Sequence, residues 1–363
     1  MNGLVEKLGL CLVGALLAAA CGGNQGCRGT TVASCPVDAG GGAAPSDGAG
    51  LSAALPLCLV ADVDLPGGGT RFDYQDIDTA LGQLVVAHMN DGAVLVLDLR
   101  DGSTRKQLPG IPTPRGVATA DDVGLIFVTS TPGHLVLIDN KTLTEVKRVG
   151  TGTGPDGVGW DPTDKIVGVS DQGDGALSLI GDSGSGARTQ VPLGSETGNV
   201  VFDATRGQFW ITVVTTNPPD QLVAVNPLSA KVTARIDLPG CDGAHGLRLH
   251  PDGQSAFIAC EGNDTLARVE LGGAHAVVTA ATGSGPDVLS IDAGLGWLYV
   301  AAESGDLTVF DISKPGIALI AHDQPGDNSH SVVVDSATHR VFFPLMKGPR
   351  GTPVLRIMKP RGT

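Results

Sequence analysis

Apolar and polar positions repeat along this chain with a period of about 42 residues, from about residue 73 to the C-terminus. Each repeat holds a short strand, a turn rich in Asp, Gly and Thr, a second apolar strand, a small polar turn and a third strand ending near Asp; a fourth strand follows. The first strands read QDID (75–78), VATA (117–120), VGWD (158–161), VVFD (200–203), LRLH (247–250), LSID (289–292) and VVVD (332–335). Their starts are offset by 42, 41, 42, 47, 42 and 43 residues, and the longest offset holds an insertion, TTNPPDQ (215–221), inside the fourth copy. Second strands follow at LVVAH (84–88), IFVTS (126–130), IVGVS (166–170), FWITV (209–213), FIACE (257–261), LYVAA (298–302) and VFFPL (341–345). Val, Leu and Ile alternate with smaller or polar residues here, the period of two expected of a strand.

A repeat of this length built of strands alone predicts an all-β fold, a β-propeller in which each repeat is one four-stranded blade. Seven starts predict seven blades. The chain ends at RIMKPRGT, soon after the third strand of blade seven, so that blade lacks a fourth strand. The segment CLVADVDLP (58–66) precedes blade one and reads as a strand. It is expected to become the outer strand of blade seven and so close the ring.

Composition agrees with a turn-rich fold: 53 Gly and 23 Pro in 363 residues supply the positive or fixed φ that turns require. The first residues are a different object. A short start, MNGLVEK, leads into the apolar run LGLCLVGALLAAA and then Cys21, the pattern of a secretory signal. Leu17, Ala18, Ala19 and Ala20 before Cys21 resemble the lipobox of bacterial lipoproteins. That resemblance implies cleavage before Cys21 and acylation of its thiol and amine, and two or more acyl chains make a stable anchor. Residues 22–57 are rich in Gly, Ala, Ser and Pro and cannot bury a core; as a coil they span roughly 33 Å. The expected organisation is therefore a signal peptide (1–20), a lipidated cysteine with a flexible tether (21–57) and a seven-bladed propeller (58–363).

The remaining cysteines fit an oxidising compartment. Cys241 precedes the first strand of blade five and Cys260 ends the second, so adjacent antiparallel strands bring them together for a disulfide. Of Cys27, Cys35 and Cys58, two can pair and one is left over; the spacing does not choose. The net charge of −14, with no basic run, argues against nucleic acid as a partner.

The phrases GTGPDGVGWDPTDK, GSGPDVLSIDAGLGWLYVAAESGDLTVFDI and NSHSVVVDSATHRVFFPL share a strand ending in Asp and a turn that leads to a second strand, and the first two open with G-x-x-P. In this they resemble the YVTN-type (YncE-like) propeller repeat family over about residues 60–358. The resemblance implies a surface or periplasmic propeller and says little of activity, because the family's repeats are structural.

A candidate site follows from the blade register. Two positions before the first apolar residue of each innermost strand stand Asp73, Arg115, Asp156, Gly198, His245, Asp287 and His330, with Asn199 beside the gap at Gly198. This spacing predicts a ring of polar groups around the central channel. One layer out, the ends of the second strands are expected to add His88, Ser130, Ser170, Glu261 and Glu303. Imidazole and carboxylate groups around one axis can hold a divalent metal ion, with Asp73, His245, Asp287 and His330 as the candidate ligands; no other cofactor is implied. They can also act as an acid–base pair, with His245 or His330 as the catalytic candidate. Or they can simply satisfy neighbouring turns and channel water.

These features support a cell-envelope lipoprotein whose propeller is a binding or scaffold module for a protein or small molecule, with the membrane as a further partner through the lipid. The alternative is a metal-assisted hydrolase or lyase of the lactonase-like or streptogramin-lyase-like propeller type, working at the His/Asp ring. A third reading, association with a periplasmic redox system, would need the haem to lie elsewhere, because CxxCH is absent.

Overall fold

The computed structural model describes residues 54–362. It contains seven four-stranded antiparallel sheets, one for each sequence repeat. In blade one the strands run Gln75–Asp78, Gln83–His88, Ala93–Asp98 and Thr104–Pro109, from the channel outward. The innermost strands of adjacent blades are neighbours all the way round, and those of blades one and seven meet to complete the ring.

Closure is as the sequence requires. Leu57–Asp64 pairs with Val354–Pro360 as the outer strand of blade seven, from Leu57 opposite Pro360 to Asp64 opposite Val354. Leu57 and Cys58 are buried there, and Arg356 grips Asp62 across the pair with bonds of 2.8 and 2.7 Å. Cys58 is a disulfide cysteine. Cys21, Cys27, Cys35, the signal segment and most of the tether lie outside the described residues.

The two middle strands of a blade are buried on both faces, as in Gln83–His88 and Ala93–Asp98, because each sheet is sandwiched between two others. The outer strand Thr104–Pro109 is largely exposed. Alternation on the middle strands therefore marks large against small rather than buried against exposed. Phe209 of blade four lies over Gly168 of blade three, where a β-carbon would come within 2.9 Å of the ring. The core is a set of such seams, for example Val85, Val94 and Val96 of blade one against Ile126, Val128 and Val136 of blade two.

The recurring Asp residues are turn fasteners. Asp161, Asp203, Asp292 and Asp335, each ending an innermost strand, accept backbone N–H groups two or three residues ahead. Asp98, Asp139 and Asp311 do the same at the ends of third strands. Much of the chain's acidity is thus spent on turns. The predicted disulfide is present, with Cys241 and Cys260 5.3 Å apart at Cα. It ties the entry of blade five to the end of that blade's second strand.

Candidate functional site at the channel mouth

The ring residues sit where the innermost strands are bent. Register slips occur between Pro114 and Val117, Pro155 and Val158, Thr197 and Val200, Ala244 and Leu247, and Pro286 and Val288. Arg115, Asp156, Gly198, His245 and Asp287 lie inside these bulges, which re-aim a side chain out of the pleat. Side-chain hydroxyls lock the bent segments together. Gly116 N–H donates to Thr129 Oγ1 (2.7 Å), which donates to the Asp156 carbonyl of the next blade (2.6 Å). Asn199 N–H, Thr212 Oγ1 and the His245 carbonyl repeat this relay at 3.0 and 2.7 Å. The gap at Gly198 has a steric cause: a β-carbon there would lie 2.7 Å from His245 Cα.

The structure brings Asp73, Arg115, Asp156, His245, Glu261, Asp287 and Glu303 together around a cavity of about 340 Å³, with Arg71, Met89 and Gln172 completing its wall. His245 Nε2 stands 3.4 Å from Asp156, 3.7 Å from Asp287 and 3.9 Å from Glu261. Arg71 forks onto Glu303 at 2.8 and 2.5 Å, with Asp287 at 3.8 Å. Arg115 donates to Asp156 (3.2 Å) and to Gln172 (3.0 Å). Tyr74 donates its hydroxyl to Asp287 at 3.2 Å. His330 lies outside the cavity wall, 1% exposed, its Nδ1 3.0 Å from Asn328 Oδ1.

Burial and crowding set the charges. Burial, then the charges of Asp287 and Asp156, push Asp73 well above the carboxylate range. Burial also raises Asp287, against the pull of His245 and His330. Burial lifts Glu261 to about 7, with His245 opposing. At His245 burial opposes the charge, but Asp156, Asp287 and Glu261 together carry the imidazole up to about 9. It is therefore an imidazolium at neutral pH, able to donate a proton but not to accept one. Burial lowers His330, and the Arg71 cation lowers it further, so that ring stays neutral. Burial would raise Glu303, yet the Arg71 hydrogen bond holds it below its ordinary value.

The second layer differs from the sequence register. Glu261 and Glu303 do face the cavity, but His88, Ser130 and Ser170 do not. His88 is fully buried, stacked on Phe72 at 4.1 Å, with Thr70 Oγ1 3.1 Å from Nε2. Ser130 donates to the Pro112 carbonyl, and Ser170 accepts from Gly157 N–H. The cavity-facing position is the first residue after the strand, the start of a single 3-10 turn in Met89–Asp91, Gln172–Asp174 and Glu261–Asn263. Gly92, Gly175 and Asp264 close those turns in left-handed conformation. Aligning the repeats on that residue would have placed Met89, Gln172 and Glu261 together. Arg71 and Tyr74 precede the first strand of blade one and carried no repeat signal.

No protein-family model matches the chain, and no curated protein is significantly similar to it. Solved structures do resemble it. One, hydrazine synthase from Kuenenia stuttgartiensis, superposes with a TM-score of 0.68 at 14% identity, over 79% of this chain and 95% of that one. At that identity the common feature is the propeller itself. Such a frame recurs in 1778 solved chains, so it does not narrow the ligand.

Proposed function

We propose that this chain is a cell-envelope lipoprotein of the YVTN (YncE-like) type whose propeller binds a small cationic ligand at the acidic mouth of its channel. The observation that carries the reading is the cavity itself. Asp73, Asp156, Glu261, Asp287 and Glu303, from four different blades, converge on about 340 Å³ of open space. Five carboxyl groups face three cationic groups, Arg71, Arg115 and His245, and burial and crowding raise Asp73, Asp287 and Glu261, so an incoming cation would meet acids ready to give up protons to it. Asp73, Asp156 and Asp287 are buried, which is costly for a carboxylate, and turn formation does not require them here. Asp161, Asp203, Asp292 and Asp335 cap turns; these five do not. The lipobox-like segment and the tether at residues 22–57 support attachment to a membrane, with the propeller held off its surface.

The test is calorimetric titration of the full-length chain with organic amines, spermidine and choline, in buffer containing EDTA. Saturable binding that weakens about tenfold or more in Glu261→Gln/Glu303→Gln, and falls with added salt, is the expected result. Absence of binding, or binding indifferent to that double variant, would refute a cationic-ligand site at the mouth.

A further inference from the structure

Beneath the mouth, at the junction of blades one, six and seven, the structure leaves three polar groups facing one another. Ligand atoms of Asp73, Asp287 and His330 all lie within 4.8 Å of one another. The three residues are 4%, 3% and 1% exposed. His330 Nε2 is buried and has no hydrogen-bond partner, although a buried polar atom normally finds one. Its Nδ1 stands 3.0 Å from Asn328 Oδ1, and the tautomer that donates there leaves the Nε2 lone pair for a cation. Among the described residues the Asp73 carboxylate accepts no hydrogen bond. Two buried carboxyl groups and one imidazole nitrogen are gathered here, and the side-chain hydroxyl that reaches them is that of Tyr74, on Asp287.

We propose that Asp73, Asp287 and His330 form a three-ligand site for one divalent transition cation of the zinc type. The proposal rests on the mouth being a binding site and deepens it, because Asp73 and Asp287 also line the cavity. The coordination position left open would face that cavity, where an incoming ligand could complete the shell. One nitrogen and two oxygen ligands suit zinc better than calcium or magnesium, which take oxygen alone.

The supports expected around a metal centre are in place. Asn328 orients the imidazole, and Tyr74 donates to Asp287 at 3.2 Å. Asp73 is held by its backbone: its N–H donates to the Ala87 carbonyl (2.9 Å), and its carbonyl accepts from Ser331 Oγ (2.6 Å). Ser331 is the residue next to His330 and in turn accepts from Gln75 Nε2 at 3.0 Å. Two ligands from opposite ends of the repeat array are thereby fixed to each other.

A rival trio exists. His245, Glu261 and Asp287 also bring ligand atoms within 4.8 Å of one another, and Asp287 is common to both trios. There, however, the imidazole nitrogen already faces three carboxylates as their counter-ion, and the orphaned lone pair is absent.

The deciding experiment titrates metal-stripped, full-length chain with Zn²⁺, and separately with Co²⁺ read by its visible bands, with no amine present. One ion per chain is expected, with no thiolate charge-transfer band and little response to Mg²⁺ or Ca²⁺. Affinity should fall by about 100-fold or more in His330→Gln and in Asp73→Asn, and change little in Glu261→Gln. Should those ligand variants fail to fold, Asn328→Gly serves. Asn328 has a φ of 56°, which glycine adopts without strain, and the loss of its side chain should weaken Zn²⁺ about 10- to 100-fold. No saturable binding by folded wild type would overturn the proposal, leaving a proton shared by the carboxylates as the occupant. So would binding that survives His330→Gln but is lost in Glu261→Gln. Amine binding in EDTA is scored independently, so either reading can fail while the other stands.

Discussion

Replacing both Cys241 and Cys260 with alanine tests how far the blade-five disulfide holds the mouth in shape. The bridge closes 19 residues of chain, and chain entropy gives it about 3 kcal/mol. Both cysteines are buried, at 5% and 0% exposure, so deleting two sulfurs from packed surroundings adds roughly 1 kcal/mol. Unfolding in urea should lose about 3–4 kcal/mol, a midpoint lowered by about 1 M for a slope near 3 kcal/mol/M. The effect should also be local. Cys260 is followed directly by Glu261, and Cys241 lies four residues before His245, so the bridge pins both sides of the site. Amide exchange in residues 241–261 should accelerate more than in blades two or three. A midpoint within about 0.2 M of wild type would refute the entropy argument. Uniform acceleration across all blades would refute the local one.

Four further outcomes are expected. Leu57→Ala, at the strand that closes the ring, removes a side chain only 1% exposed and should cost about 2–5 kcal/mol in thermal or urea unfolding; a loss under about 1 kcal/mol would mean closure does not depend on that strand. Gly246→Ala would put a β-carbon 1.8 Å from the Asp287 carbonyl, so blades five and six must part, at about 3 kcal/mol; an unchanged urea midpoint would deny that close approach. Asp171 is pushed up to about 6 by burial, with Ser178 and Gly152 hydrogen bonds opposing. Its folded pKa exceeds its unfolded one, so its contribution is complete below about pH 4 and declines as pH rises to about 6, by up to about 3 kcal/mol. Asp171→Asn should flatten that slope in stability measured from pH 4 to 7, and an identical slope would exclude Asp171 as its source. Cys21→Ser should move the protein from the membrane to the soluble fraction on cell fractionation; retention in the membrane would rule out a lipid anchor at that residue.

What the sequence determined by itself was whatever is local and repeated. A 42-residue period, strands of alternating large and small residues, and Asp at each turn dictate four-stranded blades, because each blade can bury its faces only against a neighbour. The missing strand after RIMKPRGT and the spare one at CLVADVDLP determined the closure, and the spacing of Cys241 and Cys260 determined their bridge. The same register picked out Asp73, Arg115, Asp156, His245 and Asp287, which line one cavity, and His330, which lies outside its wall. In the neighbouring layer Glu261 and Glu303 face the cavity, but His88 was misplaced by one residue, since a single step along a strand exchanges its faces: His88 stacks on Phe72, while Met89 lines the cavity. Arg71 and Tyr74 belong to no repeat and became visible only once blade one was set beside blade six. The two ring histidines are alike in sequence position and opposite in state. His245 is held as a cation by carboxylates from blades three, five and six, while His330 is kept neutral beside Arg71. Only the tertiary structure decides that difference, because charge acts through space between residues far apart in the chain, and no local pattern records which blades will face each other across the channel.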